Sequence, residues 1–111
     1  MSTLSTHVLD AASGLPAAGM RVTLERRDGD GWQPLGEGMT DDDGRVRDLA
    51  PGGLGSGVHR LVFATGDWFA ASGRTGFYPE VPVVFDVTDT GRHYHVPLLV
   101  SPYSCASYRG S

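Results

Sequence analysis

Glycine and proline divide this chain of 111 residues into segments that are too short for a helical bundle. The chain has 16 glycines and 7 prolines, and between them lie short stretches in which apolar and polar residues alternate. Alternation with a period of two is typical of β-strands, because successive side chains point to opposite faces. Seven or eight such stretches and one short helix predict a single all-β domain, residues 1–111, built as a two-sheet sandwich.

The expected strands differ in how clearly they show this pattern. Leu4–Asp10 alternates cleanly, with Ser5, His7 and Leu9 on one face. The stretch 58–64 is apolar on both faces, which favours a central strand, whereas glycine and proline weaken 32–39. Strands are expected at 4–10, 20–25, 32–39, 58–64, 81–88 and 93–100.

Turn residues predict how these strands are joined. Two Asp-Gly steps at 28–31 predict a hairpin turn, and residues 89–91, Asp-Thr-Gly, predict a second hairpin that pairs 81–88 with 93–100. Residues 66–73 are the only plausible helix, with Asp67 as its N-cap and Gly73 at its end.

The acidic stretch TDDDGR at 40–45 predicts a type I turn closed by Gly44. Its three carboxylates lack the alternate spacing and the distant Glu of an EF-hand loop. Arg45 then begins the next segment, and a solvated turn residue is its ordinary interpretation.

The last nineteen residues, from His93 to Ser111, carry the least ordinary pattern. Their strand places His93, His95 and Pro97 on the face opposite its aliphatic row, which indicates the wall of a site. The chain stops on YRGS, so that a phenol, a guanidinium, a hydroxyl and a free carboxylate lie within four residues. Chain ends are usually poorly ordered, so this concentration of functional groups predicts that the last residues are held in place and have a function.

Charge and cysteine content exclude several functions. The net charge is −4 and all nine basic residues are arginines, without the basic cluster that nucleic acids or anionic membranes attract. Cys105 is the only cysteine, which excludes an intrachain disulfide and a thiolate zinc cage. Neither a leader pattern nor an apolar run long enough for a membrane span is present, so a cytoplasmic protein is expected.

Four histidines are the candidates for chemistry. His59 is expected to be an ordinary surface or half-buried residue. His93 and His95 are two apart on a strand, and with His7 their spacing permits a three-nitrogen zinc site, although no carboxylates that would support the ligands can be identified. The sequence contains neither a nucleophile elbow nor a phosphate loop.

Five motifs together resemble the 5-hydroxyisourate hydrolases of the transthyretin-like family. They span the whole chain, and the enzyme form is present at THVLD, HYHVP and YRGS, which separate the hydrolases from transthyretin. The motifs are LSTHVLD at 4–10, GLPA at 14–17, TDDDGR at 40–45, HYHVPLLVSP at 93–102 and YRGS at 108–111.

The resemblance implies a sandwich of two four-stranded sheets with one short helix. It also implies a homotetramer, a dimer of dimers, with active sites at the interface between dimers. The implied reaction is hydrolysis of 5-hydroxyisourate to 2-oxo-4-hydroxy-4-carboxy-5-ureidoimidazoline in urate degradation, by attack of water on a ring amide without metal or cofactor.

Carried over by motif, the functional residues fall into two groups. His7 and His95 would share proton transfer, and Arg45 would hold the substrate oxygens and stabilise developing charge. Ser111 would hydrogen-bond a catalytic histidine through its hydroxyl or its terminal carboxylate. Tyr108, Arg109 and Gly110 would bind the ring together with His7 and Arg45.

Other interpretations stay open. Arg47 could share the role of Arg45, and His93 is less certain than His95. A buried or merely tolerated thiol is expected at Cys105, although residues 104–107 lack an aromatic that many relatives have, which leaves an accessible Cys105 as the alternative. The main alternative function is a carrier of small hydrophobic ligands on the same fold, although polar side chains would line its channel. A third alternative is an adhesion module, which would give the YRGS terminus no function.

Overall fold

The computed structural model describes residues 2–111, which form two packed sheets and one short helix. In the strands at 4–10 and 57–63, buried side chains alternate with half-buried ones, as the sequence pattern predicts. The elements are β1 (Leu4–Asp10), β2 (Leu15–Pro16), β3 (Arg21–Asp28), β4 (Gly31–Met39), β5 (Arg45–Val46), β6 (Gly57–Phe63), α1 (Thr65–Ala71), β7 (Val81–Val87), β8 (Tyr94–Ser101) and β9 (Ser104–Ser107).

Each sheet is four strands wide, so the predicted sandwich is confirmed. The first sheet has the order β2-β1-β8-β9, and the second has the order β4-β3-β6-β7. The two-residue strand β5 also pairs with β1, next to β2 on the same edge. Strands β1 and β8 are parallel, with Leu4 opposite Tyr94 and Asp10 opposite Val100.

The core lies between the sheets and is filled by one face of each strand. Leu4, Val8 and Leu98 from the first sheet and Leu61 and Phe63 from the second are at most 1% exposed. Fully burying an aliphatic or aromatic side chain of this size contributes about 1.5–3 kcal/mol. The alternation therefore fixes which face of β1 and β8 turns outward.

The hairpin predicted between the last two long strands is wrong. Strand β7 pairs with β6 in the second sheet, while β8 pairs with β1 and β9 in the first. The connection crosses between sheets, and the hydroxyl of Tyr94 accepts hydrogen bonds from the backbone of Thr88 and Asp89. The sequence pattern identified both strands but contained no information about their partners.

Other consecutive strands do form hairpins. Strands β3 and β4 pair through the predicted turn at 28–31, and the pairing shifts register opposite Pro34, where glycine and proline weaken β4. Strands β8 and β9 form a hairpin that the sequence analysis missed, with Ser101 opposite Ser104.

The helix occupies the predicted segment, but its N-cap differs. Ala64 is the N-cap and forms no side-chain hydrogen bond, so Asp67 lies in the first turn rather than at the cap. The end is as predicted: Gly73 has a φ of 76°, and the N–H groups of Gly73 and Arg74 donate to the carbonyls of Ala70 and Phe69.

His59 is a core residue, which corrects the expectation of a surface or half-buried side chain. It is fully buried on β6 and stacks on Phe85, with ring centroids 5.9 Å apart. Its Nδ1 contacts the carbonyl of Gly57, whereas its Nε2 is buried without a hydrogen-bond partner among residues 2–111. Burial is the main cause that lowers the pKa of His59, so the ring is held neutral in the core.

The predicted turn at 41–44 places Arg45 in the first sheet. The N–H of Gly44 donates to the carbonyl of Asp41, which closes the turn, and Gly44 has a φ of 77°. Its carbonyl accepts from the N–H of Val8 at 2.7 Å. A Cβ at Gly44 would overlap the carbonyl oxygen of Val8, which is backbone and cannot move aside.

Gly44→Ala is therefore expected to destabilise the protein by more than 3 kcal/mol, since overlap with a fixed strand adds to the cost of a left-handed φ. Gly14→Ala is the matched control, because Gly14 also has a φ of 77° but has open space where the Cβ would lie. Its expected cost is about 1 kcal/mol. Urea unfolding of both variants measures this difference, and equal losses would contradict the described contact with β1.

Candidate functional site

The polar residues of β1 and β8 lie together on the outer face of the first sheet. In the parallel register, Ser5 lies opposite His95 and His7 lies opposite Pro97. Ser5, His7 and His95 alternate with the buried positions of their strands, whereas Pro97 is itself buried. Because strands of a sheet are about 4.8 Å apart, the two predicted catalytic histidines share one small area of the surface.

Arg45 joins this area through its pairing with β1. Strand β5 places Arg45 directly opposite His7, and the carboxylate of Asp41 accepts from the backbone N–H of Arg45 at 2.9 Å. Nε2 of His7 is 2.9 Å from the carbonyl of Asp43. Since a carbonyl only accepts, Nε2 carries the proton and Nδ1 of a neutral His7 is left as an acceptor.

The C-terminal tail is tied to the same strand. The N–H of Gly110 donates to the carbonyl of His95 at 2.9 Å. A Cβ at Gly110 would overlap the imidazole of His95, so only glycine allows this approach. The terminal Ser111 follows at once, which places the chain end beside His95 within a single chain.

The side chains of Tyr108 and Arg109 do not lie beside His7, Arg45 and His95. They line a cavity of about 340 Å³ together with residues 83–86 of β7. The guanidinium of Arg109 lies 4.6 Å from the centre of the Tyr94 ring, on the strand face opposite His95. The single chain thus brings His7, Arg45, His95 and Gly110 together but does not bring Tyr108 or Arg109 beside them.

The sequence analysis missed Ser5, and it left His93 and Arg47 as secondary candidates. The hydroxyl of Ser5 lies 2.8 Å from Nδ1 of His95 and 2.8 Å from Nε2 of His93. Within residues 2–111, Ser5 rather than Ser111 is the hydroxyl that contacts His95. Ser5, Arg45, Arg47 and His93 line one shallow depression. The alternation of β1 could have identified Ser5, because it shares a face with His7.

The electrostatics of the site keep His95 neutral. Partial burial lowers the pKa of His95 most, and the positive charge of Arg45 lowers it further, followed by His93 and His7. A neutral imidazole can accept a proton from water. His95 therefore stays competent as a base at lower pH than an ordinary histidine.

Two further properties bear on the alternatives. Residues 2–111 contain no group of three or more His, Cys, Asp or Glu placed to hold a metal ion; His7 contacts Asp43, while His93 and His95 contact Ser5. Cys105 is exposed, which favours the alternative of an accessible thiol over a buried one. The described part of the chain has no helix that is long and apolar enough to cross a membrane.

The pKa of His95 is expected to rise in Arg45→Met, because the variant removes a positive charge that disfavours the imidazolium. Histidine NMR signals followed through a pH titration measure this change. Arg21→Met is the control, since Arg21 is an exposed arginine on the second sheet, and it should leave the titration of His95 unchanged. An unchanged pKa in Arg45→Met would contradict the proximity of the two side chains.

Known proteins match this chain in both sequence and fold. The model of the HIUase/Transthyretin family matches residues 4–110. A 5-hydroxyisourate hydrolase of Caulobacter vibrioides is 51% identical, with 100% of both chains covered. The solved structure of a 5-hydroxyisourate hydrolase of Klebsiella pneumoniae has a TM-score of 0.91 and 36% identity over 100% of both chains.

Sea bream transthyretin, solved in complex with thyroxine, is also similar. Its TM-score is 0.89 and its identity is 32%, over 96% of this chain and 93% of the other. The likeness thus extends to both branches of one fold, and the match of the family model covers nearly the whole sequence. The chain belongs to the HIUase/Transthyretin family.

Proposed function

We propose that this protein hydrolyses 5-hydroxyisourate to 2-oxo-4-hydroxy-4-carboxy-5-ureidoimidazoline, a step of urate degradation. The observation that carries the proposal is the placement of His7, Arg45 and His95 on one outer sheet face. His7 and His95 belong to motifs that distinguish the hydrolases, THVLD and HYHVP. Relatives that carry the name 5-hydroxyisourate hydrolase match the whole chain at up to 51% identity, which supports the same activity here.

The reaction requires a base for water, a group that stabilises the oxyanion, and a surface that holds a flat polar ring. His95 supplies the base, since its Nε2 has no hydrogen-bond partner within residues 2–111 and its lowered pKa keeps it neutral. His7 shares the proton transfer through its Nδ1, which has no hydrogen-bond partner within residues 2–111. The attacking water is thus activated by imidazole, and no step of the proposal needs a metal or a cofactor.

Arg45 is the group that stabilises charge. Its guanidinium is always positive and offers several N–H donors, which suit the carbonyl oxygens of the substrate and the oxyanion that forms at the attacked carbon. The turn at 41–44 and the pairing with His7 hold its backbone in place. Such preorganised donors contribute most when charge develops in a site shielded from water.

Assembly would provide that shielding. We propose a homotetramer, a dimer of dimers, in which this outer face is covered by a second dimer. Both sheets end in an unpaired edge strand, β7 and β9, whose free backbone groups can pair with a second copy. Tyr108, Arg109, Gly110 and Ser111 would then complete the substrate pocket, the first two reaching it across an interface.

The carrier interpretation is the second candidate, because sea bream transthyretin was solved with thyroxine. A site for an apolar ligand is lined mainly by apolar groups. Here the corresponding sheet face presents two imidazoles, a guanidinium and a hydroxyl, which favour a polar heterocycle and proton transfer.

The test is the ultraviolet decay of freshly generated 5-hydroxyisourate. The intact protein should accelerate the decay, and His7→Ala and Arg45→Met should each lower kcat/KM by about a hundredfold or more, because each removes a group that acts in the transition state. Arg21→Met is the control and should retain full activity. Light scattering on the same samples should give four times the chain mass of 11.8 kDa.

Two results would contradict the proposal. A folded, intact protein that does not change the decay would reject the hydrolase and favour the carrier. Full activity in His7→Ala and Arg45→Met, with the protein itself active, would move the catalytic site away from this face.

A further inference from the structure

The side chain of Ser5 links two histidines of the candidate site. Its hydroxyl oxygen is 2.8 Å from Nδ1 of His95 and 2.8 Å from Nε2 of His93, and Nδ1 of His93 contacts the hydroxyl of Thr3. A continuous hydrogen-bonded chain therefore runs from the half-buried His95 to exposed residues at the rim of the sheet. The proton transfer described above makes no use of this chain.

The chemistry of a hydroxyl restricts the protons in this chain. Ser5 has one proton, so it can donate to only one of the two imidazoles, and the other ring must donate its own N–H to the oxygen of Ser5. When the hydroxyl donates to Nε2 of His93, Nδ1 of His95 must carry a proton. Nε2 of a neutral His95 is then unprotonated, and its lone pair can accept a proton.

The opposite arrangement would disable His95 as a base. If Ser5 donated to Nδ1 of His95, the proton of the neutral ring would reside on Nε2, which is the nitrogen open to water. The direction of one hydroxyl thus decides whether His95 can accept a proton. His93 bears on this direction, because its Nε2 competes with Nδ1 of His95 for the single proton of Ser5.

We propose that Ser5 is a positioning residue for His95, and that His93 orients the Ser5 hydroxyl so that Nδ1 of His95 carries the proton and Nε2 acts as the base. This inference rests on the proposed hydrolase, since it assigns the base of that reaction. Ser5 does not touch the substrate in this scheme. It acts by fixing the tautomer and the orientation of the ring.

The other contacts of His95 fit this role. Gly110 lies against the edge of the ring, and its N–H holds the backbone of His95. The ring is therefore fixed at Nδ1 by Ser5 and at its edge by the tail, while Nε2 remains open. The charged and titratable groups around it are Arg45 on β5, His7 on β1 and His93 before β8, and none of them is bonded to Nδ1 among residues 2–111.

Ser5→Ala removes the hydroxyl and is the main test. It should lower kcat for 5-hydroxyisourate about tenfold, the factor that corresponds to one hydrogen bond lost in the transition state, with little change in KM. In ¹⁵N NMR spectra at pH 8, the proton of His95 should move from Nδ1 towards Nε2 in the variant. A purely structural role of Ser5 would not move this tautomer signal.

Two variants control for the fold and for the hydroxyl. Ser5→Thr keeps a hydroxyl on the strand and should restore both kcat and the Nδ1–H tautomer. Ser101→Ala removes a hydroxyl that contacts only Ser104 at the far end of β8, and it should change neither quantity. His93→Phe removes the acceptor for the Ser5 hydroxyl and should reproduce the tautomer change of Ser5→Ala.

The outcomes separate this inference from the proposed function. An active protein in which Ser5→Ala leaves kcat and the His95 tautomer unchanged would overturn the inference alone. The NMR signal does not depend on turnover, so a tautomer change in an inactive protein would uphold the link between Ser5 and His95 while rejecting the hydrolase.

Discussion

The parallel pairing of β1 with β8 is the interaction on which both the fold and the candidate site depend. It joins residues about 90 positions apart in the chain, and it aligns Ser5 with His95 and His7 with Pro97. Side chains alternate along a strand, so a slip of one residue would turn the buried row outward and the imidazoles inward. Exposing Leu4, Val8 and Leu98 to water is unfavourable, so their burial fixes the register of β1 against β8. The fixed register also keeps the side chains of the polar face in position.

The site is assembled from short segments that depend on this pair of strands. Strand β5 has only two residues, yet it places Arg45 opposite His7 because the turn at 41–44 and the carboxylate of Asp41 hold it. The tail is held by a single bridge between Gly110 and His95. Marginal elements of this kind are stable only against a rigid neighbour, and assembly of four copies would order them further.

The sequence was sufficient to predict the features that depend on residues close together in the chain. The alternation of β1, the hairpin at 28–31, the turn closed by Gly44 and the family motifs were all predicted, and the comparisons confirm the family. What failed required knowledge of distant partners: β7 and β8 look like a hairpin but belong to different sheets, and His59 looks like a surface residue until Phe85 covers it. Ser5 shares a face of β1 with His7, which the alternation indicates, but its link to His93 and His95 depends on the pairing of β1 with β8. The roles assigned to His7, Arg45, His95 and the C-terminal tail remain predictions.

The proposed chemistry takes place on the outer face of β1 and β8 rather than in the larger cavity beside β7. Uric acid is a stable purine of similar shape to 5-hydroxyisourate, and its binding can be followed by NMR. Its addition is expected to shift the imidazole signals of His7 and His95 and to leave the backbone signals of residues 83–86 in place. Shifts confined to residues 83–86, with the two imidazoles unaffected, would contradict it.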